Sequence, residues 1–139
     1  MAILVHKDIF LSVETVDLSD HVTRATLTVD QEAIDVTSLG ASTTTRIFNA
    51  GLINWSLEVE FQEDYASSKV NATLWGLVGS NAVSIVFRPT NAAVSATNPQ
   101  FTGEAMLESF PVISAQVGSL SMTTAKFRAA GALGRATSA

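Results

Sequence analysis

Residues 53–65, INWSLEVEFQEDY, constrain the fold more than any other stretch of this chain. At a period of two, Trp55, Leu57, Val59 and Phe61 fall on one side, and Asn54, Ser56, Glu58, Glu60 and Gln62 on the other. Successive side chains of an extended strand point to opposite faces, so a strand with one buried and one wetted face is expected at roughly 52–62. The apolar face needs a second layer to cover it. The polar face carries a carboxylate stripe that asks for a role.

The same alternation recurs along the chain. Short strands are expected at 8–13 and 82–89, the second ended by Pro89, and longer ones at 22–30, 101–110 and 119–129. In 101–110, Phe101, Ala105 and Leu107 oppose Thr102, Glu104 and Glu108. Helical spacing occurs once, where Val70, Leu74, Leu77 and Val78 follow i, i+4, i+7, i+8; Asp64 or Ser67 suits the cap and Gly79 the stop. One helix among strands of antiparallel character implies a mainly β domain with a helix over one face or end. Two stretches read as long loops, 37–51 and 90–100, and 129–139 as a mobile tail.

A chain of 139 residues suffices for a single domain with its own core. Charged residues make up 15%, against roughly 25% in ordinary globular proteins, and mean hydropathy is +0.29. With Ser, Thr and Ala replacing charge on the surface, burial of that surface against further copies is the natural expectation. The net charge of −5 and scattered basic residues offer no patch for gripping phosphates. Without cysteine there is no disulfide or thiolate site, and the N-terminus lacks the uninterrupted apolar centre of a signal peptide. No stretch reaches the roughly 20 apolar residues that cross a bilayer, so a soluble protein folded in a cytoplasm is expected.

Catalytic signatures are weak. Residues 19–21, SDH, hold serine, carboxylate and imidazole, but adjacent residues cannot form a triad and a turn is the simpler account. GLVGSN at 76–81 lacks the lysine of a phosphate loop. Glu58 and Glu60 stand about 6–7 Å apart on one face; with Glu63 and Asp64 they supply oxygen ligands, yet without the Asp/Asn spacing and Gly turn of a calcium loop. No enzyme activity, metal or cofactor is expected.

In order and spacing, IDVTSLG (34–40), the loop with TTTRIF, GLINWSLEVEFQEDY, the helix, a strand ending FRPTN and the closing FPVISAQVGSLSMTTAKFRAAG then ALGR resemble the tail tube proteins of long-tailed (siphovirus-like) bacteriophages. The likeness runs from about residue 22 to 135. It implies an antiparallel β-sandwich or barrel-like tail tube fold with one flanking helix at about 65–78; the chain departs from fuller members in being short, with no appended immunoglobulin-like domain, so a single tail tube domain over 1–139 is expected. It further implies subunits that close into hexameric rings, stack into a hollow tube in the virion tail and conduct DNA to the host cell. The implied partners are further copies, the tape-measure, tail terminator and tail tip proteins, and DNA that passes without tight binding; no membrane is involved, and assembly takes place in the host cytoplasm.

On this resemblance Glu58, Glu60, Glu104 and Glu108 are candidates for the lumen wall, where carboxylates would repel a duplex carrying one charge per about 1.7 Å. The plain alternative is a polar strand face in ordinary solvent. Arg24, Arg46, Arg88 and Arg128 are expected at contacts or outside. Thr43, Thr44, Thr45, Arg46, Ile47 and Phe48 are the candidates for contact between subunits or rings, with the N-terminal segment and the 129–139 tail as further ones. Two other functions remain open at this point: a tail terminator or head-completion ring protein of the same fold, and a monomeric β-domain that binds a ligand.

Overall fold

A computed structural model describes residues 3–38, 40 and 44–138. Eight strands and one helix follow in the order β1 (Phe10–Val13), β2 (Val16–Asp17), β3 (Val22–Asp35), β4 (Phe48–Gln62), α1 (Val70–Leu77), β5 (Val83–Arg88), β6 (Gln100–Ser109), β7 (Met122–Ala129) and β8 (Gly134–Ala136). Every pairing is antiparallel, and the strands run β2-β1-β5-β6-β7-β4-β3 across the sheet. β8 pairs with the first residues of β6, beyond the point where β7 leaves it.

The alternation in β4 sets the architecture. Trp55, Leu57, Val59 and Phe61 are all buried, and β7 answers across the ladder with Phe127 opposite Leu57 and Ala125 opposite Val59. β1 and β5 turn Leu11, Val13, Val83 and Ile85 into the same core, and α1 closes it with Val70, Leu74 and Leu77. Burying side chains of this size stabilises by about 1.5–3 kcal/mol each before chain entropy is charged. The sheet curls around this core until its two ends face each other across a trough of about 1080 Å³, lined on one side by Ala25, Leu27 and Val29 of β3 and on the other by Ile9 and Phe87. This is the mainly antiparallel β fold with one flanking helix that the patterning implies.

Several boundaries differ from the sequence expectation. β3 runs to Asp35 and β4 starts at Phe48, so the last four residues of the expected 37–51 loop are strand. The paired segments lie beyond the core, where no buried face imposes alternation on the sequence. The helix begins at Val70 rather than near 65: Ser68 has φ +60°, outside helical geometry, and the Asp64 carboxylate is engaged by the Ala66 amide at 3.0 Å instead of capping α1. Gly79, at φ +91°, ends the helix as its place in the sequence suggests. Within the expected mobile tail, 134–136 form β8 against β6. The 90–100 loop is held by Asn98, buried, whose side-chain amide donates to the carbonyls of Ala92 (2.9 Å) and Ala93 (3.1 Å).

Candidate functional site

The polar face of the sheet gathers all four candidate glutamates. Strand parity puts Glu58 and Glu60 of β4 on the face opposite Trp55, and Glu104 of β6 on that same face. Glu108 sits at an irregularity in the β6–β7 register and reaches Arg128 of β7, whose Nε donates to its Oε2 at 2.7 Å. That carboxylate holds the Arg128 guanidinium more firmly protonated than usual. The glutamates do not form an unbroken acidic stripe. Glu58 lies between Thr26 of β3 and Lys126 of β7, and Glu60 between Arg24 and Thr124. By the same parity Arg88 of β5 lies on this side, because Ile85 and Phe87 turn to the core, so the four glutamates share the face with four cations, Arg24, Arg88, Lys126 and Arg128.

The expected division, with the glutamates on a lumen and Arg24, Arg88 and Arg128 at contacts or outside, would need these residues on opposite sides of the sheet, whereas strand parity gathers them on one. The period-two pleat puts them on the same side, so wherever this face points, both signs go with it. Arg46 is separate: it pairs with Asp35 at 2.8 Å near the end of the β3–β4 ribbon. Arg88 lies on β5, stacked 3.9 Å over the Phe10 ring.

The ribbon is the second feature. From about Val29 on β3 and back to Ile53 on β4, its side chains leave the core, and Val29, Ile34, Leu52, Ile53 and Phe48 all stand in solvent, with Ile47 just before it. The register slips between Gln31 and Ala33, leaving Gly51 and Leu52 against Glu32. Glu32 folds over Gly51, where an added Cβ would meet the Glu32 side chain at 3.0 Å, and accepts from the Leu52 amide at 3.4 Å. Beyond the strands, Thr37 locks the chain ends: its hydroxyl accepts from the Ile47 amide at 2.7 Å, and the Val36 amide donates to the Ile47 carbonyl at 2.9 Å. The Asp35 carboxyl is held below its usual range, chiefly by the Thr37 amide and hydroxyl and then by Arg46.

Of the candidate contact residues, Thr44, Thr45, Arg46, Ile47 and Phe48 are therefore exposed at the ribbon's end. Thr43 lies outside the described residues. Sequence reading missed Val29, Leu52 and Ile53 because it placed them in strands with an assumed core, and Ile34 because it lies past the expected end of its strand at residue 30. The signal was available: β3 has acidic or polar residues at 30, 31 and 32 where a core strand would alternate.

The SDH segment forms a short 3₁₀ turn rather than a catalytic group. Its His21 bridges two carboxylates, Nδ1 to Asp20 at 2.7 Å and Nε2 to Asp64 at 2.8 Å, and so ties the start of β3 to the chain leaving β4. The Asp64 carboxyl is held below the ordinary carboxylate range, first by the Ala66 amide and then by His21. Among the described residues, no three His, Asp or Glu side chains converge as a metal site would require.

No protein-family model matches this sequence, and no curated protein matches it. Solved structures do share its architecture. A chain of the virion of a native gene transfer agent particle superposes with a TM-score of 0.76 at 15% identity, over 96% of this chain and 99% of that one. The SPP1 tail tube gives 0.71 at 12% identity, over 97% and 80%. The tail of an empty gene transfer agent particle, with C6 symmetry, gives 0.67 at 17% identity, over 84% and 82%. The fold is common to all four, nearly end to end.

Proposed function

We propose that this chain is the structural, non-enzymatic subunit of a phage-type tail tube, in which six copies close a ring and rings stack into a hollow conduit for DNA. The observation that carries the reading is a ribbon with apolar side chains on both of its faces in solvent, on a fold shared with a virion chain and a tail tube. An isolated two-stranded ribbon is marginal in water, and one exposing Val29, Ile34, Leu52 and Ile53 has no reason to persist unless a neighbour covers it. The long free edge of β3 is likewise a hazard in a monomer and an asset in a ring, where an adjacent subunit can pair with it. On this reading the protein resides in a virion tail, the whole chain acts as one tube domain, and tape-measure, terminator and tip proteins meet the finished tube.

The mixed-charge face of β3, β4, β7 and β6 is our candidate for the lumen wall. Its hydroxyls and its paired glutamates and cations would keep a duplex hydrated, and the carboxylates beside Arg24, Lys126 and Arg128 would keep phosphates from settling on them. Negative-stain electron microscopy of the purified protein over a concentration series tests the function. Hollow tubes or stacked rings are expected. Rings that never stack would replace the tube with a terminator or head-completion ring, and monomers at every concentration would favour a ligand-binding domain using the trough beside β3.

A further inference from the structure

A second apolar surface lies at the other end of β4. The β4 strand ends at Gln62 against Met122, and the Glu63 amide continues the pairing to the Ser121 carbonyl at 2.9 Å. Here the 110–121 connection between β6 and β7 exposes Val112, Ile113, Val117 and Leu120, at 40%, 72%, 103% and 66%. Tyr65 (56%) and Trp75 (62%) flank it. Trp75 lies one helical turn from Asn71, whose side-chain amide donates to the Val112 carbonyl at 3.1 Å, so both face this connection. The Glu63 carboxylate makes the Tyr65 phenol harder to ionise.

The connection is ordered by polar contacts while its apolar side chains point out. The Thr123 hydroxyl donates to the Pro111 carbonyl at 2.8 Å, the Ser121 hydroxyl to the Ser114 carbonyl at 2.9 Å, and the Ser119 amide to the Gln116 carbonyl at 3.1 Å. These bonds fix the backbone without burying Ile113, Val117 or Leu120. A surface held open in this way loses little entropy on binding.

We infer that this surface is the seat for the ribbon end of a second copy, the copy in the next ring, an assignment that rests on the tube reading above. Rings repeated along an axis meet head to tail, so each subunit must present two different, complementary surfaces. This subunit has two, at opposite ends of a strand on the order of 45 Å long: the ribbon end with Ile47, Phe48 and Leu52, and the seat. The six exposed side chains of the seat offer area on the order of the 800 Å² per partner that a standard specific interface buries. The ribbon end supplies apolar residues on both faces to fill it.

The absence of cysteine makes the test direct. Phe48→Cys and Val117→Cys replace exposed side chains, so neither change touches the core. In tubes assembled from the double variant, mild oxidation should join subunits into a ladder of disulfide-linked multimers on a non-reducing gel, and neither single variant should link at all. Dimers from Phe48→Cys alone would mean that ribbon ends meet each other, and would overturn the assignment. Tubes that form but yield no ladder, with other seat positions such as Ile113→Cys also silent, would overturn it while leaving the tube reading intact. Failure of the unmodified protein to form rings or tubes at any concentration would instead remove the tube reading, and the seat with it.

Discussion

Trp55 shows how one side chain organises the middle of the sheet. Its indole is 2% exposed, and its Nε1 donates to the Gly131 carbonyl at 2.8 Å, linking β4 to the turn between β7 and β8. Gly103 of β6 makes the room: an added Cβ there would lie 2.8 Å from Cζ2 of the ring and 3.3 Å from the Ala132 carbonyl. Neither neighbour is the loose end of a flexible chain. Gly103→Ala should therefore tilt the indole off its acceptor and destabilise the subunit by about 1–3 kcal/mol, the usual range for an overpacked core. Urea unfolding would report this as a lower midpoint at unchanged slope; an unshifted midpoint would mean the ring has somewhere to go. The inward place of Trp55 is legible from alternation alone. Its partnership with Gly103 is not, because a glycine in a strand signals close approach without naming what approaches.

At the scale of elements, the sequence is readable wherever a buried face imposes a period, and obscure elsewhere. β4 and β7 announce themselves through Trp55, Leu57, Val59 and Phe61 and through Ala125 and Phe127. The outer ribbon does not, since its faces both meet solvent in the subunit and nothing selects between odd and even positions. β2 and β8, of two and three residues, are too short to show any period. The 110–121 connection has no periodicity to mark it, although Val112, Ile113, Val117 and Leu120, apolar residues set among small and polar ones, are themselves a sign of a contact surface. The separation of ribbon from core has a mechanical consequence. Deleting 41–48 removes the Arg46–Asp35 pair, the Thr37–Ile47 lock and the exposed Phe48, and none of the described residues in it, 44–48, is buried. The shortened subunit should keep its circular dichroism spectrum and cooperative melting while losing the ability to polymerise. Tubes of normal appearance would strike this end of the ribbon from the contacts.

For the whole molecule, the decisive question is what the mixed-charge face does when many copies surround a duplex. In one subunit, Glu58 beside Lys126, Glu60 beside Arg24 and Glu108 bonded to Arg128 nearly cancel, and exposed pairs of this kind add little to stability. Their value, if the face lines a lumen, lies in the potential they leave along the channel. Cancelled charge neither binds the passing phosphates nor repels them so strongly that threading is costly. Changing Glu58, Glu60, Glu104 and Glu108 to Lys leaves the core and both apolar ends untouched but turns the face strongly cationic. Each phosphate that such a wall neutralises releases counterions, so the effect must weaken steeply with salt. Particles built with the variant should show tubes of normal length by electron microscopy, stall in DNA ejection at low salt, and recover as salt is raised. Normal ejection at low salt would place this face on the outside of the tube. Loss of tubes would place it between subunits, with Arg24, Lys126 and Arg128 as the cations a neighbour's carboxylates contact.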